Sequence, residues 1–117
     1  MKAEKLIDDA MALTSFIRYV AVYTNGNLFL RERSGISGSS ASESDKYEEL
    51  IVNPTLLKLT TQRGNIDCGG LNYIIIRYGN FFVLLLPVES GHVNFGFEPD
   101  VNPLDWIEPI TSLMKQF

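Results

Sequence analysis

Ala3, Leu6, Ile7, Ala10 and Leu13 recur at spacings of three and four, with Lys2, Lys5, Asp8 and Asp9 mostly between them. That period predicts an amphipathic helix over 2–14 with one side to bury. Residues 16–23, Phe-Ile-Arg-Tyr-Val-Ala-Val-Tyr, change the pattern to β-branched and aromatic residues, which favour a strand. Val20 and Val22 fall on one parity, Ile17, Tyr19 and Ala21 on the other, so the strand is expected inside a sheet covered on both faces. Asn25-Gly26 then separates it from Asn27–Arg33. Both turn residues tolerate positive φ, so the pair predicts a tight hairpin. Arg31 and Arg33 toward the end of the second strand suit a sheet edge.

Residues 34–44 are rich in Ser and Gly and carry almost nothing to bury, which predicts a mobile surface loop. A helical region follows. Asp45 with Glu48 three residues later fits a capping box, and Tyr47, Leu50, Ile51 and Leu57 keep the helical period. Pro54 interrupts it, predicting either two helices, 45–52 and 54–63, or one kinked helix. Arg63-Gly64-Asn65 reads as its end.

Three closely spaced strands come next: Leu71–Tyr78, Asn80–Val88 and His92–Glu98, joined by Gly79-Asn80 and Glu89-Ser90-Gly91. They predict an antiparallel meander. Its middle strand, apolar on both parities from Phe81 to Leu86, belongs in the interior. Asn102-Pro103 opens a last helical segment with Trp106, Ile110, Leu113 and Phe117 in one stripe, regular from near Glu108 because Pro109 breaks the first part. The order α-β-β-α-β-β-β-α predicts one α+β domain over 1–117, a five-stranded antiparallel sheet with helices on its faces.

Composition narrows the function classes. Apolar residues make up 45% of 117, enough for one core, and the net charge is −4. Ten scattered Lys and Arg form no basic run, which disfavours nucleic acid and anionic membrane surfaces as partners. The longest apolar run, Phe81–Val88, is far short of the ~20 residues of a spanning helix. Asp8 and Asp9 keep the first residues from reading as a signal peptide. A single cysteine, Cys68, excludes a disulfide within the chain and favours a reducing, cytoplasmic setting.

No catalytic, metal or cofactor constellation emerges. His92 is the only histidine and is expected to be structural and partly exposed. Cys68 and His92 could meet as thiol and base, but Asp67 beside Cys68 is the wrong neighbour for an activated thiol. Glu43, Asp45, Glu48 and Glu49 lack calcium-loop spacing and read as an exposed acidic first turn favoured by the helix dipole. Neither phosphate-loop glycine pattern is present. Phe81, Phe82, Phe95, Phe97 and Trp106 are core candidates.

The N-terminal helix with its Asn25-Gly26 hairpin, the long helical region, the strand Phe82-Val83-Leu84-Leu85-Leu86-Pro87-Val88 and the C-terminal helix together resemble the Roadblock (dynein light chain) family, a branch of the profilin-like and longin-like folds. The likeness covers residues 2–117. The long 34–44 loop and Pro54 depart from the usual pattern. The resemblance implies strand order 2-1-5-4-3 and a homodimer in which two third strands pair beside the second helices. Leu56, Leu57, Tyr73, Ile75 and Arg77 would then carry self-association. It also implies a non-catalytic adaptor or regulator of another protein, with a small GTPase as the partner class. The alternative is a profilin-like sensory module holding a small apolar ligand between sheet and helices.

Overall fold

The computed structural model describes residues 2–36 and 42–117. Its elements are α1 (Ala3–Leu13), β1 (Ile17–Thr24), β2 (Asn27–Glu32), α2 (Ser42–Tyr47), a π-helical turn (Glu48–Val52), α3 (Asn53–Asp67), β3 (Ile74–Arg77), β4 (Phe82–Val88), β5 (Gly91–Phe97), a 3₁₀ turn (Pro103–Trp106) and α4 (Ile107–Met114). The five strands form one antiparallel sheet in the order β2-β1-β5-β4-β3, as the resemblance implies. Of the predicted 34–44 loop, residues 37–41 lie outside the described residues. The helix after it starts at Ser42 and not at Asp45.

Each face of the sheet is covered by different helices. On one, Val20, Val22, Leu84, Leu86, Val93, Phe95 and Phe97 pack against Leu6, Ile7 and Ala10 of α1 and Ile110 of α4. The stripe of Trp106, Leu113 and Phe117 joins this core, and Pro109 sits harmlessly in the first turn of α4, where its missing N–H has no partner to lose. Leu13, expected in the buried stripe of α1, is exposed at the helix end. Ile17 joins the Val20 side and not the Tyr19 side, because the register shifts between Ile17 and Tyr19 where β1 meets β5. That irregularity lets Arg18 and Tyr19 line the same face of the sheet.

The opposite face lies under α2, the π turn and α3. Its apolar part is small: Leu57 of α3 packs on Val83 and Leu85, flanked by Ile74, Ile76 and Phe81. Pro54 neither splits nor ends the helix. The run from Ser42 to Asp67 is helical throughout, and Asn53 N–H bonds to the Glu48 carbonyl five residues back. A proline has no N–H to offer Leu50 and its ring crowds that carbonyl. The wider turn just before it accommodates both effects. Nor does the helix stop at Arg63-Gly64. Gly64 lies within α3 because the chain returns over it: a Cβ there would meet the Gly70 backbone at 3.0 Å, and the Gly64 carbonyl accepts from Cys68 N–H and Gly70 N–H, both at 3.0 Å. The positive φ that ends the helix belongs to Gly69, at 82°.

At the β1–β2 hairpin, Asn25 (φ 53°) and Gly26 (φ 79°) form the expected two-residue turn, and Thr24 pairs with Asn27.

Candidate functional site

Along the helical run, Asp45, Glu49, Asn53 and Leu57 follow at intervals of four, and all four are buried. In a strict α-helix a spacing of four drifts about 40° per step around the axis. The π turn takes back part of that drift, so the four side chains stay on the sheet side. Of the acids expected in an exposed first turn, Glu43 is exposed, Glu48 is half-buried, and Asp45 and Glu49 are turned inward. Glu49 is fully buried, while Tyr47, Leu50 and Ile51 face out at 63%, 43% and 52% exposure. Asp45 is a buried helix residue, not a cap.

The sheet receives Glu49 with donors. Along β5, Val93, Phe95 and Phe97 serve the large core, so His92, Asn94 and Gly96 point to the helix side. The Glu49 Oε1 atom contacts His92 Nε2 at 2.8 Å and accepts from Asn53 Nδ2 at 2.9 Å. Its Oε2 accepts from the Tyr19 hydroxyl at 2.7 Å and from Asn94 Nδ2 at 2.8 Å. An ionised carboxylate only accepts, so the His92 tautomer that fits carries its proton on Nε2, and both amides must turn their nitrogens inward. Burial, then the Glu49 charge, pushes the Tyr19 hydroxyl far above its ordinary range, so it stays a donor. His92 is 1% exposed, a buried histidine and not the partly exposed one expected.

Beside this cluster a cavity of about 570 Å³ opens between α2, the π turn and the sheet. Tyr19, Val83 and Asn94 form part of its floor, with Tyr78 and Phe81 at one side. Glu48 is half-buried there and accepts from the Tyr78 hydroxyl, at 3.1 and 3.2 Å to its two oxygens. Burial raises the Glu48 carboxyl above its usual 4.5, reinforced by Glu49 and Asp45, while the Tyr78 bond and His92 pull it down. Burial and Glu48 together push the Tyr78 hydroxyl up to about 12.

The folded state thus holds the Glu48 proton more tightly than the unfolded chain. Stability contributed by this group falls as pH rises from 4.5 through the raised folded value. Glu48→Gln should therefore make urea unfolding harder at pH 7–8, with the advantage fading as pH drops to the ordinary carboxylate range. A gain independent of pH would contradict this assignment.

The residues expected to mediate self-association do not all share one surface. Leu57 is turned inward onto Val83 and Leu85, where it supports the sheet. Ile75 and Tyr73 lean toward the large core, whereas Ile74 and Ile76 lean toward α3. Arg77 is exposed and lies over the Phe82 ring at 4.9 Å. Leu56 is partly exposed on α3. Pro54, Lys58, Thr61 and Gln62 face a cleft with Tyr23 and Pro87. Leu56, Leu59 and Arg63, one turn apart, occupy the opposite flank of α3.

Cys68 is exposed, and its thiol donates to Asp67 at 3.3 Å. No hydrogen bond among the described residues joins it to His92, which is committed to Glu49. Among the described residues no group of three or more His, Cys, Asp or Glu could hold a metal ion, and no helix is long and apolar enough to cross a membrane. No protein-family model matches the chain, and no curated protein matches it closely enough to count as a relative.

Proposed function

We propose that the chain is a non-catalytic, homodimeric adaptor or regulatory protein, and that the second copy docks on the open β3 edge and the adjoining flank of α3. One observation carries the reading. β3 is the last strand of the sheet, its Ile74, Ile75 and Ile76 are half-exposed, and α3 beside it leaves Leu59 61% exposed. An apolar strand with an unpaired edge invites another strand, and a two-fold pairing of identical edges closes the assembly where an open one would propagate. The resemblance to the Roadblock family implies the same pairing. It also supplies the partner class, a small GTPase, while the single cysteine supports a cytoplasmic setting.

Leu59→Glu tests the interface without entering the core. The wild type should sediment as a dimer at micromolar concentration. The variant should dissociate at least tenfold more readily, because the two-fold axis counts the change twice and tenfold is only about 1.4 kcal/mol. Leu30→Glu on β2, at the other edge of the sheet, should leave the dimer intact. A wild type that stays monomeric at high concentration, or a dimer lost through Leu30 and not Leu59, would refute the assignment.

A further inference from the structure

The cavity between α2, the π turn and the sheet is a space that the described side chains leave unfilled. On the same face of the sheet, farther along the helical run, Leu57 closes the gap onto Val83 and Leu85. Under the π turn nothing comparable happens. Leu50 and Ile51 face solvent, and β5 contributes the bare backbone of Gly96 to the cavity wall. About 570 Å³ is left between the two layers. Native interiors hold few voids larger than one water, so a gap of this size calls for an occupant.

The chemistry of the walls selects the occupant. Their charged groups are already engaged. Glu43 pairs with Lys46 at 3.6 Å, and Glu48 accepts from the Tyr78 hydroxyl. Arg18 pairs with Glu98 at 3.4 Å and lies over the Phe81 ring at 5.2 Å. Asp45 also has a partner, and Glu32 is exposed. What remains for a guest is aliphatic and aromatic surface: Ile36, Val52, Phe81 and Val83, with Tyr19 and Tyr47. A water is held only where several polar groups converge on it, and here most are spent on one another. An apolar guest would instead take these walls out of water.

We infer that the cavity binds a small, uncharged, largely aromatic molecule, held between the sheet and the helical run. Val52 and Val83 cover its faces, and the rings of Tyr19, Tyr47 and Phe81 meet it edge-to-face or offset. The carboxylates along the walls disfavour an anionic guest. The volume lies in the ordinary range for small-molecule sites. Because the guest touches both layers, it fastens α2 and the π turn to the sheet and slows their local opening. The inference does not depend on the dimer.

Fluorescence titration of the full chain with N-phenylnaphthylamine, an uncharged aromatic probe that brightens in apolar surroundings, tests it. Saturable enhancement at one probe per chain is expected, weakened at least tenfold in Val52→Phe and in Ser44→Phe. These exchanges fill the space from two different lining positions, and thermal melting checks that each variant folds. A sulfonated, anionic analogue of the probe should bind at least tenfold more weakly. Leu59→Glu, on the exposed surface of α3 and outside the cavity, should leave the affinity unchanged. Amide exchange across 42–52 should slow at saturation. Absence of saturable binding up to the solubility of the probe would overturn the proposal. So would an affinity unchanged in a folded filling variant, a site lost through Leu59, equal binding of the anionic analogue, or amide exchange that saturation does not alter.

Discussion

Glu49→Ala is expected to destabilise the domain by about 4 kcal/mol, one of the largest effects any single exchange here should have. The side chain is fully buried and takes four hydrogen bonds, from Tyr19, Asn53, His92 and Asn94. Truncation leaves all four donors in a space that water does not freely reach, and adds a cavity. A domain of this size is held by only about 6–15 kcal/mol, so the melting point should fall by on the order of 15 °C. Glu49→Gln keeps the volume but turns an NH₂ toward two donors, and should lose roughly half as much. Urea unfolding of both variants decides the matter. A loss below about 1 kcal/mol for the alanine would mean that water or rearrangement satisfies the donors, and the network would not be what fixes the helix on the sheet.

Gly91→Ala should cost about 3 kcal/mol for a different reason. Gly91 begins β5 opposite Thr24, where β1 turns into its hairpin. A Cβ on Gly91 would stand 1.7 Å from the Tyr23 carbonyl oxygen and 2.8 Å from its carbon. These are backbone atoms inside a paired strand and have no rotamer in which to escape, so the two central strands must part at that end. Gly79→Ala is the matched control, since nothing lies within 4 Å of a Cβ there. It should change stability by less than about 1 kcal/mol. Equal losses in the two variants would remove the steric explanation.

Much of this architecture was legible from local chemistry. Asn25-Gly26 specified its turn by φ alone, the meander strands announced themselves by composition and spacing, and Ile110 with Trp106, Leu113 and Phe117 marked the inward side of α4. The region 42–67 was less legible. Helical period tells which residues share a side but not which side faces the sheet. The usual rule, apolar inward, assigned Tyr47, Leu50 and Ile51 to the core and the acids to solvent. The sheet reverses that, because His92, Asn94 and Tyr19 ask for an acceptor. A hint did exist in the sequence: His92 and Asn94 share a parity on β5 opposite Val93, Phe95 and Phe97, so two polar side chains were bound to point into the second layer. Gly64 misled for another reason. A helix stop and a close backbone approach both call for glycine, and only the returning Gly69-Gly70 distinguishes them.

The unequal filling of the two faces also sets how the molecule breathes. Thirteen buried apolar residues join α1, α4 and one side of the sheet, whereas only Leu57, Val83 and Leu85 do so on the other. The layer from Ser42 to Asp67 therefore hangs largely on one carboxylate and the three sheet donors that reach it, Tyr19, His92 and Asn94. It can lift away as a unit at a free energy below that of global unfolding, with the sheet and the large core intact beneath it. Native fluctuations are thus concentrated in a single helical flap.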